Sequence, residues 1–221
     1  MKPLQSRQLT NKQSGLLKEV AYVKIRDAIL RGEFTPIEFL SESKLIDFLG
    51  MSKTPIKSAI DRLEAEGLVQ VAPKQGIVVT ELSLDKVRDI FDLRIALETF
   101  VSEQICGKIN IEQQKEIEGN LTESENAVFH GDEKHFAEVD SEFHLLLSKC
   151  SGNAVLYKTL SNYQTLLFRI VLNVLHKDPD RMVNSHKDHV NIYEAILGND
   201  AALARNLVKE HLNYGKYILL N

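Results

Sequence analysis

Apolar positions along the first eighty residues recur every three or four places, then give way to short β-branched runs. In "AYVKIRDAILRGEF" the side chains of Tyr22, Ile25 and Ile29 share one helical face, Gly32 follows Arg31 as a stop, and Pro36 breaks the chain beyond it. Ser41 is placed to cap a second helix whose buried stripe is Leu45, Phe48 and Leu49 and whose end is Gly50. A third helix begins within a few residues, with Ser52 or Thr54 as its cap and Pro55 tolerated in the first turn. Its stripe is Ile56, Ala59, Ile60 and Leu63, and Gly67 stands at its C-terminal end. Then Leu68-Val69-Gln70-Val71 and Ile77-Val78-Val79, separated by "APKQG", predict a hairpin with Lys74 and Gln75 at its tip.

From Ser83 onward the period stays helical to the end. The pattern predicts six helices over roughly 83–108, 110–130, 132–151, 153–176, 180–197 and 200–219, which make a bundle. Ser83 caps the first of them, so residues 80–84 read as a linker. The expected organisation is a polar leader at 1–17, a small unit of three helices and a ribbon at 18–80, and an all-α unit at 81–221.

Composition changes this picture only in places. A chain of 221 residues with 43% hydrophobic content can bury a core in each unit. No apolar run reaches the length of a membrane span, and the opening "MKPLQSRQLTNKQSG" lacks the apolar core of a signal peptide, so the expectation is a soluble, cytoplasmic protein with no membrane partner. Cys106 and Cys150 are isolated, without the CxxC spacing of a thiolate zinc site, and read as buried thiols. Net charge is −4, but residues 1–80 hold 12 basic against 9 acidic side chains while the remainder holds 15 against 22. The first unit is therefore mildly basic and the second acidic.

A helix, a tight turn and a second helix with a polar first turn form the helix-turn-helix plan, whose second helix enters the major groove of DNA; the hairpin is then a wing. Ser52, Lys53, Thr54 and Lys57 fall on the side of the third helix opposite Ile56 and Ile60, and Arg62 lies on a later turn. Hydroxyls and cations there can engage phosphates and guanine edges, and the helix N-terminus attracts a phosphate. Taken alone, "SKTPIK" reads more readily as a solvated helix cap; three helices, a wing and positive local charge in order reverse that preference and favour DNA.

The stretch "LGMSKTPIKSAIDRLEAEGLV", with its flanking helices and the wing glycine, resembles the N-terminal winged helix of GntR-type bacterial transcription regulators. That resemblance implies DNA contacts at Ser52, Lys53, Thr54, Lys57, Arg62 and Gly76. The chain departs from the family pattern in carrying lysine where arginine is usual at 53 and 57, and Pro36-Ile37 where Pro-Gly is usual. Lysine lacks the planar two-pronged contact of arginine, so a different base readout is expected.

In the bundle, "HFAEVDSEFHLLLSKCSGN" places Asp140 and His144 four apart on one helix face, beside Phe143, Leu146 and Leu147. His189 shares a face with Ile192, Tyr193 and Ile196, and His211 with Leu207, Val208 and Tyr214 or Gly215. Converging from three helices, one carboxylate and three imidazoles would suit Zn²⁺, Ni²⁺ or Mn²⁺ with open positions. Spacing alone leaves Asp140 and His144 open as a surface pair and the histidines as core residues. The C-terminal half, with "D..FH.....SGN", "S..DH..IYEAI" and a terminal "V..H", is similar to the FCD ligand-sensing domain that accompanies this winged helix. The likeness implies a divalent ion, zinc first, on Asp140, His144, His189 and His211, and no ligand role for His186. His130, His135 and His176 are assigned to the surface or to helix ends.

Arg94 and Glu98 are four apart on a face shared with Ile90, Leu97 and Val101, and read either as a surface ion pair or as groups in need of buried partners. The resemblance implies that Arg94 reaches the pocket and grips an anionic effector. The expected protein is a homodimeric, non-enzymatic regulator that binds a near-palindromic operator and responds to a small organic acid docked on the metal and Arg94. A helical metalloenzyme with a DNA-binding appendage, and a DNA-binding protein whose metal is purely structural, are the alternatives.

Overall fold

The computed structural model describes residues 4–72 and 76–221, with side chains from residue 15 onward. The chain divides into two compact units, Met1–Glu81 and Leu82–Asn221.

In the first unit α1 (Leu4–Leu30) continues helix through part of the segment that reads as a polar leader. It buries Ala21, Tyr22, Ile25, Ala28 and Ile29, the expected face. β1 (Phe39–Leu40), α2 (Glu42–Leu49), α3 (Lys53–Ala65), β2 (Val69–Ala72) and β3 (Gly76–Val79) follow. Ser41 caps α2 by accepting from the Lys44 N–H, and Gly50 ends it at φ 64°, a left-handed conformation that glycine takes at no steric cost. Against expectation Phe48 is 44% exposed; Leu45 and Leu49 carry the α2 stripe, and Phe48 borders it, edge-on to Phe34 at 5.1 Å. In α3 Ile56, Ala59, Ile60 and Leu63 are all buried.

The wing is one strand larger than the sequence suggests. β1 joins the hairpin in a three-stranded antiparallel sheet ordered β1-β3-β2, with Leu40 opposite Ile77 and Ala72 opposite Gly76. Two residues between Pro36 and Ser41 are too few to show a period of two, which is why the strand is invisible in the pattern. Gly76 is required here for packing: at φ 114°, an added Cβ would lie 2.9 Å from the Leu40 carbonyl oxygen of β1. Ile37, where the family pattern has glycine, takes φ 67°, which is costly for a β-branched residue.

The second unit is all helix: α4 (Leu84–Ile105), α5 (Ile111–His130), α6 (Glu133–Cys150), α7 (Ala154–Ser161), α8 (Gln164–Lys177), α9 (Arg181–Leu197) and α10 (Ala201–Leu220). Ser83, Asn110, Asp132, Asn153 and Asp200 cap their helices with side-chain oxygens, so the capping residues in the sequence set most of the starts. The pattern predicts one helix over 153–176, whereas the structure breaks it at Asn162 and Tyr163. Asn162 is a weak helix former, and Tyr163 sits at φ −102°, ψ 4°. The break re-aims α8, which buries Leu166, Leu167, Ile170, Val171 and Val174, whereas α7 buries Leu160 alone. Phe143, Leu147, Ile192, Ile196, Val208 and Leu212 fill the interior between α6, α9 and α10. Burying each such side chain contributes about 1.5–3 kcal/mol, enough to support polar groups placed among them. Among the described residues no helix is long and apolar enough to cross a membrane.

Candidate functional site

Asp140 and His144 project from α6, His189 from α9 and His211 from α10, and one ligand-type atom from each lies within 4.8 Å of the others. All four are buried, from 0% exposure at His189 to 7% at His211. Donors about 2.1 Å from one ion stand about 4.2 Å apart when trans, so the cluster is close to the span that a single cation requires. His189 Nε2 lies 3.4 Å from His211 Nε2 and 3.6 Å from Asp140 Oδ1. Two imidazole lone pairs facing each other at that distance repel unless a proton or a cation stands between them. Among the described residues His144 Nε2 and His189 Nδ1 have no hydrogen-bond partner, although both are buried. Burial, reinforced by His211, His144 and the two arginines nearby, pushes the His189 pKa well below its usual value. Burial also lowers His211, to about 4, against the pull of its bond to Asp188. Both rings are neutral at pH 7, the form that binds metal. The donor set fits a divalent transition metal.

Two arginine–carboxylate pairs flank the cluster, each with its carboxylate on a histidine Nδ1. On α4, Arg94 Nε donates to Glu98 Oε1 at 2.7 Å, while Glu98 Oε2 lies 2.7 Å from His144 Nδ1. Both residues are buried, which excludes the surface-pair reading of Arg94 and Glu98. Burial pushes the Glu98 carboxyl up, but Arg94 and His144 outweigh it and hold it down at about 2. Arg94 Nη2 is buried without a hydrogen-bond partner. On α9, Arg181 Nη1 donates to Asp188 Oδ2 at 2.8 Å, and the same oxygen lies 3.1 Å from His211 Nδ1. Ser185 Oγ donates to Asp140 Oδ1 at 2.8 Å. A carboxylate on Nδ1 favours the tautomer that presents Nε2 to a metal. Glu98, Arg181, Ser185 and Asp188 are absent from the sequence expectation for this site; "SHKDH" carries polar residues at all four positions before His189, but nothing in it shows that Ser185 and Asp188 are the two that face the cluster.

A cavity of about 30 Å³ adjoins the cluster, lined by Arg94, Asp140, Arg181, Ser185 and His211 on its polar side and by Phe91, Phe136, Ile170 and Gly215 among its apolar wall. At Gly215 an added Cβ would stand 3.3 Å from the Phe91 ring, so glycine allows α10 its close approach to α4. His186 is outside the cluster, its Nδ1 3.1 Å from Ser124 Oγ. His130, His135 and His176 are also outside it: His130 Nδ1 contacts the Asn126 carbonyl, and the other two face Glu123 and Glu133.

In the first unit Ser52, Lys53, Thr54 and Lys57 are all exposed at the start of α3. Ser52 is the N-cap but its hydroxyl makes no capping bond, so it is not spent on its own helix. Lys53 Nζ lies 2.6 Å from Glu42 Oε2. Arg62 is differently placed. Its guanidinium lies 3.5 Å from the Tyr22 ring centre and pairs with Glu19 and Glu66 at 3.0 and 3.1 Å, fastening α3 to α1. Lys74 and Gln75, the expected wing tip, lie outside the described residues.

A three-helix unit with a winged sheet and an all-α unit with a buried Asp-His₃ cluster define a class of two-domain DNA-binding regulators. The chain belongs to the gntR family of bacterial regulatory proteins: that family's model matches residues 17–79, and the FCD domain model matches residues 89–214. It is 28% identical over 195 residues to the HTH-type transcriptional regulator YdhC of Bacillus subtilis (strain 168), covering 87% of this chain and 86% of that protein. It is 26% identical over 192 residues to the HTH-type transcriptional repressor RspR of Escherichia coli (strain K12), covering 86% and 83%. A crystal structure of a putative GntR transcriptional regulator from Rhodococcus sp. RHA1 superposes with a TM-score of 0.78 at 19% identity, covering 93% of this chain and 98% of that one, which shows the shared fold.

Proposed function

We propose that this regulator is a homodimer that binds a near-palindromic operator through Ser52, Lys53, Thr54 and Lys57, with Arg62 and Gly76 shaping the α3–wing surface, and that a small carboxylate on a divalent metal modulates its DNA affinity. The observation that carries the sensing half is the buried Asp140-His144-His189-His211 cluster opening on a cavity where Arg94 Nη2 has no partner. A metal held there, zinc in the first instance or else nickel or manganese, would supply a Lewis-acidic point for one carboxylate oxygen. Arg94 supplies charged N–H donors to the same carboxylate, a geometry that guanidinium matches well.

Charge supports the same ligand class. The buried arginines Arg94 and Arg181 face three carboxylates, Glu98, Asp140 and Asp188, so a divalent ion leaves the site with one surplus positive charge. A monocarboxylate neutralises it, and burying an unbalanced charge is expensive. An acid can shift DNA binding only by its preference for one arrangement of the dimer, and coupling of about 1–3 kcal/mol corresponds to about 5–150-fold in operator affinity. The test is selection of a duplex from a random library by the zinc-loaded protein, followed by anisotropy titrations with and without a panel of carboxylic acids. An inverted repeat and an acid-dependent affinity lost in Arg94→Ala are expected. Operator affinity indifferent to every acid and to chelation would leave the metal a structural role only.

A further inference from the structure

We propose that the cleft enclosed by α2, α3 and the wing reads thymine in the operator by taking up its 5-methyl group. This rests on the reading above that the start of α3 meets operator DNA, and deepens it. The cleft holds about 80 Å³. Its floor is apolar, formed by Ile56 and Ile60 of α3 and Ile77 of β3, each no more than 4% exposed. Its walls are the half-buried Ile46 of α2 and Val71 of β2, which is 42% exposed. Val71 pairs directly with Ile77 across the antiparallel strands, so the two share one face of the sheet and carry apolar surface from the core out to the opening. Four charged, exposed side chains complete the lining: Lys53 and Lys57 of α3, Asp61 one turn further on, and Glu42 at the start of α2.

That mixture of charges fits a base edge rather than the backbone. Lys53 and Lys57 draw the cleft to DNA, whereas Glu42 and Asp61 repel a phosphate seated over it. In the major groove a base pair presents hydrogen-bonding atoms and one apolar group, the thymine methyl. A volume of about 80 Å³, against about 30 Å³ for a water-sized group, takes that methyl and the ring edge that bears it. The carboxylates and ammonium groups around it are then free to meet the amino and carbonyl groups of adjoining bases. Lysine at 53 and 57 gives up the two-pronged guanine contact of arginine, and an apolar readout beside those lysines supplies sequence preference in its place.

The experiment starts from the duplex that the full-length protein selects from a random library. Each thymine of the half-site is replaced singly by deoxyuridine, which lacks only the methyl, and affinity is read by anisotropy. One thymine per half-site is expected whose replacement weakens binding about fourfold, the loss of one buried methyl. Val71→Ala and Ile46→Ala each thin one wall, and circular dichroism verifies their folding. Val71 is exposed, so its variant leaves the core closed. Each variant is expected to shrink the thymine-over-uracil preference below about twofold while binding the uracil duplex within about twofold of the wild type. A half-site without thymine, or one where no replacement changes affinity, assigns the cleft to another occupant, a small apolar molecule or a protein segment. That result overturns the proposal and leaves DNA binding standing. A thymine equally sensitive in both variants is read elsewhere, which overturns it too. Selection of no duplex at all overturns both the cleft and the DNA-binding reading.

Discussion

Replacing Glu98 by Gln tests how the metal cluster is held. The substitution keeps shape and volume in a fully packed position, so no cavity term enters. The amide oxygen can still accept from Arg94 Nε, as Glu98 Oε1 does at 2.7 Å. The other end becomes an NH₂ group facing His144 Nδ1, where a carboxylate oxygen now stands at 2.7 Å. Donor against donor is relieved only if Nδ1 loses its proton, which moves the proton to Nε2 and removes the lone pair that a metal needs. Loss of such an orienting partner typically weakens metal binding about 10–100-fold, or about 1.4–2.7 kcal/mol. Stability falls too, because Arg94, 4% exposed, keeps its charge without a counter-charge; unpairing a buried ion costs about 3–5 kcal/mol, and the retained hydrogen bond places this case at or below the low end. The assay is zinc competition against a chromophoric chelator, on protein whose folding is verified by circular dichroism. The parallel variant Asp188→Asn should weaken zinc less, since the Asp188 side chain is 35% exposed and water can replace part of its role. Folded Glu98→Gln that binds zinc within about twofold of the wild type would refute the orienting role.

Other consequences follow from the same structure. Ile37→Gly relieves a β-branched residue at φ 67°, worth about 1–2 kcal/mol, against about 0.5–1 kcal/mol of added chain entropy, so a small rise in the denaturant midpoint is expected. Zinc at about 100 times its Kd should stabilise the protein by about 2.7 kcal/mol, seen as a rise in Tm that is absent in His189→Ala. Lys57→Ala should weaken all duplexes similarly and lower the salt-dependence slope by about one, whereas loss of sequence preference would mean that Lys57 reads a base. Burial, aided by Glu116, pushes the Cys150 thiol up to about 11, and burial with nearby acidic groups raises Cys106 as well. Both thiols should therefore label slowly at pH 7.5 and faster as pH rises or the protein unfolds; rapid labelling of the native protein would contradict their placement.

Much of this protein is written locally. Hydrophobic period, Ser and Asn caps and the glycines at 32, 50 and 67 delimit the helices, because each acts over one or two turns of chain. The spacing of Asp140 and His144 puts them on one face for the same reason, and the exposed turn from Ser52 to Lys57 follows from the apolar stripe opposite it. What lies across from a helix face is not local. The meeting of His144, His189 and His211, the burial of Arg94 and Glu98, and the Arg181–Asp188 pair on His211 all depend on how α4, α6, α9 and α10 pack. Periodicity names the face that turns inward but carries no record of a partner on another helix, such as His211 for His189, 22 residues away. The break at Asn162 and the two-residue β1 were settled in the same way, by tertiary packing overriding a weak local preference.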